Sequence, residues 1–350
     1  MNKLTKVGLS ALCSSLAAVS SANAGEMTVT GGVDMSWVSL GGGQSVTGNP
    51  IGMGSNLTFK GNGELDNGWT FGVTVAMLNQ DAYSSTAVNL NMGSFGSLNF
   101  NQGDSGNGID AFDDKMPTAW EEPWGAGLGT GVQLVSGVGT ANNVQYKTPT
   151  VFGITMTAAV APDKSSADVN DKGTGSTTDS TGKAMDGTIN INPSFGTEIL
   201  SGLNLFVGAG YTERFVSFVT PANDRYEGVM GATFDIGPIS LGVASSGIVT
   251  GNKGGSTLVD WYKNSMYGIA FNVNDDLSIS YGDHTSLQGF VNPNNSPSNG
   301  EALGVQSYQI AYSMGGASIR YAKIDVDNAA YQDAPAYDKE ASVISVSLAF

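Results

Sequence analysis

The stretch ASVISVSLAF, residues 341–350, places apolar side chains at Ile344, Val346, Leu348 and Phe350, with small or hydroxylated residues between them and Val343 as the one break. Alternation with a period of two is the mark of a β-strand whose two faces meet different surroundings. The pattern runs up to a bare phenylalanine with no polar tail behind it. A strand placed there needs a pairing partner on each side and an apolar medium against one face.

The same period recurs along most of the chain. MTVTGGVDMSW, residues 27–37, sets Met27, Val29, Val33, Met35 and Trp37 against Thr28, Thr30, Asp34 and Ser36. NLTFKGNGEL (56–65) and WTFGVTVAM (69–77) repeat it, joined by Asp66-Asn67-Gly68, a strong hairpin signal. Further candidates begin near Ser85, Ser97, Asn143, Gly153, Met185, Gly202, Arg225, Ile239, Val259, Leu277, Leu303, Ala317 and Ala341, which makes sixteen. Tight connections hold DNG, Gly93 to Gly96, Gly237-Pro238, Asn274 to Asp276 and Gly315-Gly316, while longer polar stretches occupy 41–50, 162–183, 251–257, 288–300 and 325–339. Short turns at one end and long loops at the other are the layout of a transmembrane antiparallel β-barrel, all-β and sixteen-stranded.

The competing architectures are a soluble β-sandwich and a secreted solenoid. A sandwich wets and charges its polar faces, whereas here those faces are Thr, Ser, Asn and Gly with scattered charge. No repeat of a solenoid's length is visible. Aromatic residues Trp37, Trp69, Tyr211, Tyr226, Tyr308, Tyr312 and Tyr321 fall near the ends of candidate strands, where amphipathic rings favour the lipid–water boundary. In lipid an unpaired sheet edge is prohibitive, so the last strand is expected to pair with the first and Phe350 to sit at the rim.

Composition agrees. Charged residues make up 13% of the 350 positions, with 49 glycines, about half the charge of an ordinary soluble domain. No mature segment is apolar for the length of a helical span. The first residues carry Lys3 and Lys6, an apolar run from Val7 to Val19, and Ala22-Asn23-Ala24. This reads as a secretory signal peptide over residues 1–24, cut after Ala24, leaving one barrel domain over 25–350. The only cysteine, Cys13, leaves with it, and the mature chain then holds 13 basic and 31 acidic residues, net −18. Such a balance excludes nucleic acid as a partner.

The chain also resembles the Gram-negative general porins, the sixteen-stranded trimeric kind, with alphaproteobacterial examples nearest in flavour. VISVSLAF ending on Phe350 looks like the terminal signal that the barrel assembly machinery recognises in that family; GSFGSLNFNQGD (93–104) is similar to its turn and fifth strand, and NNVQYKTP (142–149) to its sixth. The resemblance implies an outer-membrane location, a homotrimer and a third long loop folded into the lumen. One departure stands out: Phe100-Asn101-Gln102-Gly103 carries no arginine where the family often has one.

The connection at 103–142 is the longest and is third in order. Its acids are Asp104, Asp110, Asp113, Asp114, Glu121 and Glu122 against one base, Lys115, and Ala111, Phe112, Met116, Trp120 and Trp124 are its apolar anchors. Carboxylates at a constriction concentrate cations and repel anions. Lys60, Lys147, Arg225 and Arg320 are expected on the facing wall. The functional expectation is a diffusion pore for small hydrophilic solutes and ions, mildly cation-selective. The alternatives are a substrate-specific porin, a plugged structural barrel and an outer-membrane hydrolase.

Other motifs fall away. Neither 104–108 nor 325–329 fits an EF-hand, so a structural Ca²⁺ rests on the loop acids alone and no other cofactor is expected. Residues 251–257 have P-loop composition in the wrong order, and 125–130 fail the dinucleotide fingerprint at their last glycine. His284, the only histidine, is expected at a solvated rim beside Asp283 and Thr285, which leaves a hydrolase little to work with.

Overall fold

The computed structural model describes residues 27–43, 49–79, 81–125, 128–164, 181–193, 201–214, 223–253, 258–291 and 300–350. The expected signal peptide, with Lys3, Lys6, Cys13 and its cleavage site, lies outside them. The strands are β1 (Met27–Gly42), β2 (Ile51–Glu64), β3 (Thr70–Leu78), β4 (Asp81–Asn91), β5 (Ser97–Gln102), β6 (Asn143–Lys147), β7 (Ile154–Ala161) and β8 (Thr181–Ile191). They continue as β9 (Leu203–Arg214), β10 (Arg225–Ile236), β11 (Ile239–Val249), β12 (Val259–Asn272), β13 (Leu277–Phe290), β14 (Leu303–Met314), β15 (Ala317–Asp327) and β16 (Lys339–Ala349).

Each strand pairs antiparallel with its sequence neighbours, and β16 returns to β1, so the sheet is a closed sixteen-stranded barrel. The seam runs from Gly32↔Ala349 to Gly42↔Lys339. It ends on two further bonds: Gly31 N–H donates to the Phe350 carbonyl at 3.1 Å, and Phe350 N–H to the Gly31 carbonyl at 3.0 Å. Closure leaves no edge to be satisfied in hydrocarbon.

The sixteen expected strands are all present, with differences at their starts. β2 begins at Ile51 rather than near Asn56, because Ile51, Met53 and Ser55 continue its outward face opposite Trp37, Met35 and Val33. β4 begins at Asp81 rather than near Ser85, so the β3–β4 connection shrinks to residues 79–80, the exception among the long loops. Asn79 makes this tight turn possible. It adopts φ +55, a left-handed conformation that asparagine tolerates. It is also tied to β2 twice, its N–H donating to the Ser55 carbonyl at 2.7 Å and its Oδ1 accepting from Ser55 N–H at 3.1 Å.

The outward face is apolar and exposed almost all round, with Met53 at 73% and Met230 at 64%. So much contiguous apolar surface belongs against lipid. Tyr211 and Tyr226 stack near one rim with centroids 5.6 Å apart, but Tyr281 and Tyr308, 4.9 Å apart, lie in mid-strand. The reason is that β13 and β14 outrun the apolar band. One outward position beyond the tyrosines stand Asp283 and Gln306, joined at 3.0 Å. The rings therefore mark where the apolar band stops rather than where the strands stop.

The inward face is divided. On the described part of β2–β4 it is mainly polar, with Thr58, Lys60, Asn62, Glu64, Thr70, Thr74, Asn89 and Asn91, and Leu78 and Ala87 as apolar exceptions. On β9–β16 it carries Phe206, Val229, Ile248, Met266, Leu303, Val305, Ile324, Val326 and Val343, all buried. These pack against the third loop in two clusters, one around Ile109, Phe112, Met116 and Val135, the other around Leu128. Val343, the break in the terminal alternation, belongs to the second: its face is inward, but a loop covers it.

The two faces of the last strand should respond differently to charge. Val346 faces outward between Met35 and Ile319, while its neighbour Ser347 lines the lumen. Val346→Arg is expected to lower folding stability in lipid bilayers by about 2–4 kcal/mol, and Ser347→Arg by far less, as measured by urea titration of the reconstituted barrel.

Candidate functional site: a lumen lined by an acidic loop

The third loop, 103–142, lies inside the barrel. Its neck closes where Gly103 N–H donates to the Thr140 carbonyl at 3.0 Å. The outgoing run follows the wall from β6 to β14. Gly108 N–H donates to Gln145 Oε1 at 2.6 Å, Phe112 packs on Phe206 at 5.0 Å, and Ala119 N–H donates to Ser280 Oγ at 2.8 Å. Trp120 and Glu121 N–H both reach Gln309 Oε1 at 3.0 Å. The returning run is held by Asn264 Nδ2 on the Gln133 carbonyl at 2.9 Å. Glu227 Oε2 accepts from Ser136 and Gly137 N–H at 2.7 and 2.8 Å, and Asp186 Oδ2 from Val138 N–H at 2.8 Å. Backbone donors away from water need partners, and a carboxylate is a strong one. Lys164, from the β7–β8 connection, adds Nζ to Ser136 Oγ at 2.9 Å and to the Gly137 carbonyl.

The wall fits the loop through missing side chains. A Cβ at Gly242 would lie 2.4 Å from Pro117 Cδ, and one at Gly268 2.9 Å from the Pro117 carbonyl oxygen. Only glycine lets the backbones approach so closely. Among the described residues no glycine on the inward faces of β2–β4 stands against the third loop, and these faces line an open recess.

The structure gathers five of the six loop acids. Like-charge repulsion links them: Asp110 and Asp114 act on Asp113, and Glu121 acts on both Asp114 and Glu122. Asp104 stands apart at the neck, its carboxyl raised by burial alone. Burial also raises Asp110 and Asp114, the former despite a hydrogen bond from Gly106 N–H at 2.7 Å. Asp113 is pushed up to about 8, chiefly by burial and then by Asp110 and Asp114. Glu122 is raised by burial and by the hydrogen bond and charge of Glu121. Lys115, the loop's one base, sits 5.8 Å over the Phe112 ring.

The four bases are not gathered opposite the acids. Arg225 pairs with Glu227 on its own strand, the carboxylate that docks the loop, so it lies on the covered wall. Arg320 pairs with Asp34 across the barrel seam and stacks 5.2 Å over Trp120 of the loop. Asp34 also accepts from Ser345 Oγ at 2.9 Å. Both arginines are therefore spent within the wall. Lys60 faces the open lumen from β2, and Lys147 lies on the inward side of β6; neither forms an ion pair among the described residues.

His284 departs from expectation. It is 1% exposed, beneath the returning run, and its Nε2 meets Asn264 Oδ1 at 3.1 Å. It is not a rim residue, because the third loop passes over the inward face of β12 and β13. Asp283 points the opposite way, to the outer surface, with Tyr281 and Gln306. Among the described residues no three His, Cys, Asp or Glu side chains converge as a metal site.

The residues that sequence reading missed are the docking groups Glu227, Asp186, Gln309, Gln145 and Asn264. Their signal was long amide or carboxylate side chains on inward positions otherwise given to Ser, Thr and Gly. The glycines at 242 and 268 carried a second signal.

Comparison with known proteins accords with this geometry. The fold superposes on the anion-selective porin from Comamonas acidovorans with TM-score 0.62 and 14% identity, over 93% of this chain and 99% of that one. It superposes on OmpT of Vibrio cholerae with TM-score 0.65 and 11% identity, over 95% and 100%, and on Salmonella typhi OmpF with TM-score 0.64 and 11% identity, over 93% and 98%. Comparison of the sequence with curated proteins gave no match. The family described as Gram-negative porin matches residues 8–313. A closed barrel with an apolar exterior, a loop lying within its lumen and a family match over most of its length are one finding seen three ways: the chain belongs to the Gram-negative porins and forms a diffusion channel in the outer membrane.

Proposed function

We propose that this channel passes small hydrophilic solutes with a mild preference for cations, and that the aperture between the third loop and the open wall of β2–β4 sets both. The observation that carries the reading is the chain of five interacting carboxyls on the loop, with Lys115 as its only base. Arg225 and Arg320 are offset by Glu227 and Asp34, and Lys60 on the open wall is accompanied by Glu64, so the loop carboxyls are left without a concentrated opposing charge there. The fold itself does not choose the ion: a protein sharing it is an anion-selective porin. Selectivity then rests with unpaired lumen side chains.

A channel rather than a hydrolase is supported by His284, whose buried partner is an amide and not a nucleophile or a carboxylate. The homotrimer is supported by the trimer form of Vibrio cholerae OmpT. Export through a signal peptide over 1–24, and recognition of the β16 strand ending at Phe350 by the barrel assembly machinery, complete the reading.

Two measurements test it. In a KCl gradient the reversal potential should show cation preference, and the preference should grow from pH 6 to pH 9. Raised carboxyls are neutral below their folded pKa and gain charge above it, so Asp113 adds charge as the pH passes about 8. The cation-to-anion permeability ratio is expected to rise about twofold over that range, and Asp113→Asn should flatten the rise. Anion preference at every pH would overturn the reading.

The second concerns the aperture. Gly242→Val forces side-chain atoms against Pro117, an overpacking that costs about 1–3 kcal/mol in a closed core. The loop has open lumen behind it and should move there, lowering single-channel conductance while the barrel stays folded. Unaltered conductance in a folded Gly242→Val barrel would mean that the loop does not set the aperture.

A further inference from the structure

The open wall holds a recess of about 630 Å³ on β2–β4. It lies at the short-turn end, bordered by residues that flank the β2–β3 and β4–β5 turns. Its polar lining is mainly amide and hydroxyl: Asn62, Asn89 and Asn91 with Thr70 and Thr74. The register explains how these amides come together. Asn62 pairs with Gly72, Gly72 with Asn89, Asn89 with Asn99 and Asn99 with Gln145, so one rung of the ladder crosses five strands and carries amides on four of them. Gly72 is the gap in the rung. A Cβ there would lie 3.1 Å from Asn62 Oδ1, so the Asn62 amide occupies the space that a side chain at 72 would take. Asn89 donates to Asn99, and Asn62 is exposed to the lumen.

Each amide offers a donor pair and an acceptor in one plane. A solute with neighbouring hydroxyls, each both donor and acceptor, matches such a row without bringing a charge. Lys60 and Glu64 also line the recess, and they cancel in sign. They stand four residues apart on one strand, about 13 Å at the usual rise. We propose that this recess is a weak binding site for neutral polyhydroxylated solutes of mono- to disaccharide size, which meet it after passing the acidic loop. The inference deepens the diffusion-pore reading by naming a solute class, and it rests on that reading.

The test uses the reconstituted full-length barrel in planar bilayers, with maltose, sucrose and, separately, glycylglycine added to the short-turn side. Interruption of the KCl current by the disaccharides, saturating with concentration, is expected. Asn62→Ala/Asn89→Ala should raise the half-saturating concentration about five- to tenfold, as the loss of two neutral hydrogen bonds implies. Lys60→Met/Glu64→Gln should leave it within about twofold. Asn62→Ser/Asn89→Ser, which keeps polar groups on the wall, should fall between wild type and the alanine pair. It serves as the reading should the alanine pair fail to show the heat-modifiable gel mobility of a folded barrel. Sugar passage that depends on size alone, sugar interruption unchanged in the serine pair and in any folded alanine pair, or interruption by glycylglycine that is lost only in the charge variant would each overturn the proposal. An intact KCl conductance in those outcomes would leave the diffusion pore standing while removing the sugar site.

Discussion

The structure depends on one constraint: inside a bilayer a backbone N–H or carbonyl finds no water, so every strand must be paired on both edges. The return of β16 to β1, with paired bonds reaching Gly31 and Phe350, is the form this requirement takes here. Once the sheet is closed, the two-residue period sorts side chains without further instruction. Odd positions of β10 such as Arg225, Glu227 and Val229 turn inward, and Tyr226 and Met230 turn to lipid. The lumen is the consequence, since sixteen strands enclose more space than their inward side chains fill.

A second demand comes from the loop. A segment of some forty residues placed in that lumen has its own backbone donors to satisfy, and its apolar side chains have to leave water. The inward faces of β9–β16 answer both. They offer Glu227, Asp186, Gln309 and Asn264 as partners, with Phe206, Ile248 and Met266 as packing surface. The pore is thus asymmetric by construction. One half of the wall is a floor for the loop, and β2–β4 remain as the face that lines an open recess.

This division explains what could be read in the sequence. Strand identity is local: alternation over eight to ten residues and a DNG turn suffice, and the sixteen strands were found. The route of the loop is not local. Glu227 and Gly137 are 90 residues apart in the chain, and Gln309 and Trp120 are 189 apart. No single segment records that these groups meet. The same gap misplaced His284, whose own strand would leave it at the lumen surface, and whose burial comes from a loop 150 residues away in sequence or thereabouts. Val343 teaches the converse. It breaks the terminal pattern because it belongs to the buried inward cluster that includes Leu128 of the loop.

Net charge is a poor guide to the field in such a pore. The mature chain is strongly acidic, yet Asp34 and Glu227 are tied to Arg320 and Arg225, and Asp283 and Asp325 face outward. Of the loop acids, Asp113 and Glu122 resist ionisation because burial and their neighbours oppose it. On the proposed reading, a passing ion meets the remainder: a few loop carboxyls on one side, and Lys60, Glu64 and uncharged amides on the other. The field in the aperture is set by which of these few groups are left unpaired and ionised. Relatives that keep the fold and share little of its sequence can differ in selectivity for that reason, since pairing or freeing a single lumen charge changes the local balance without touching the barrel.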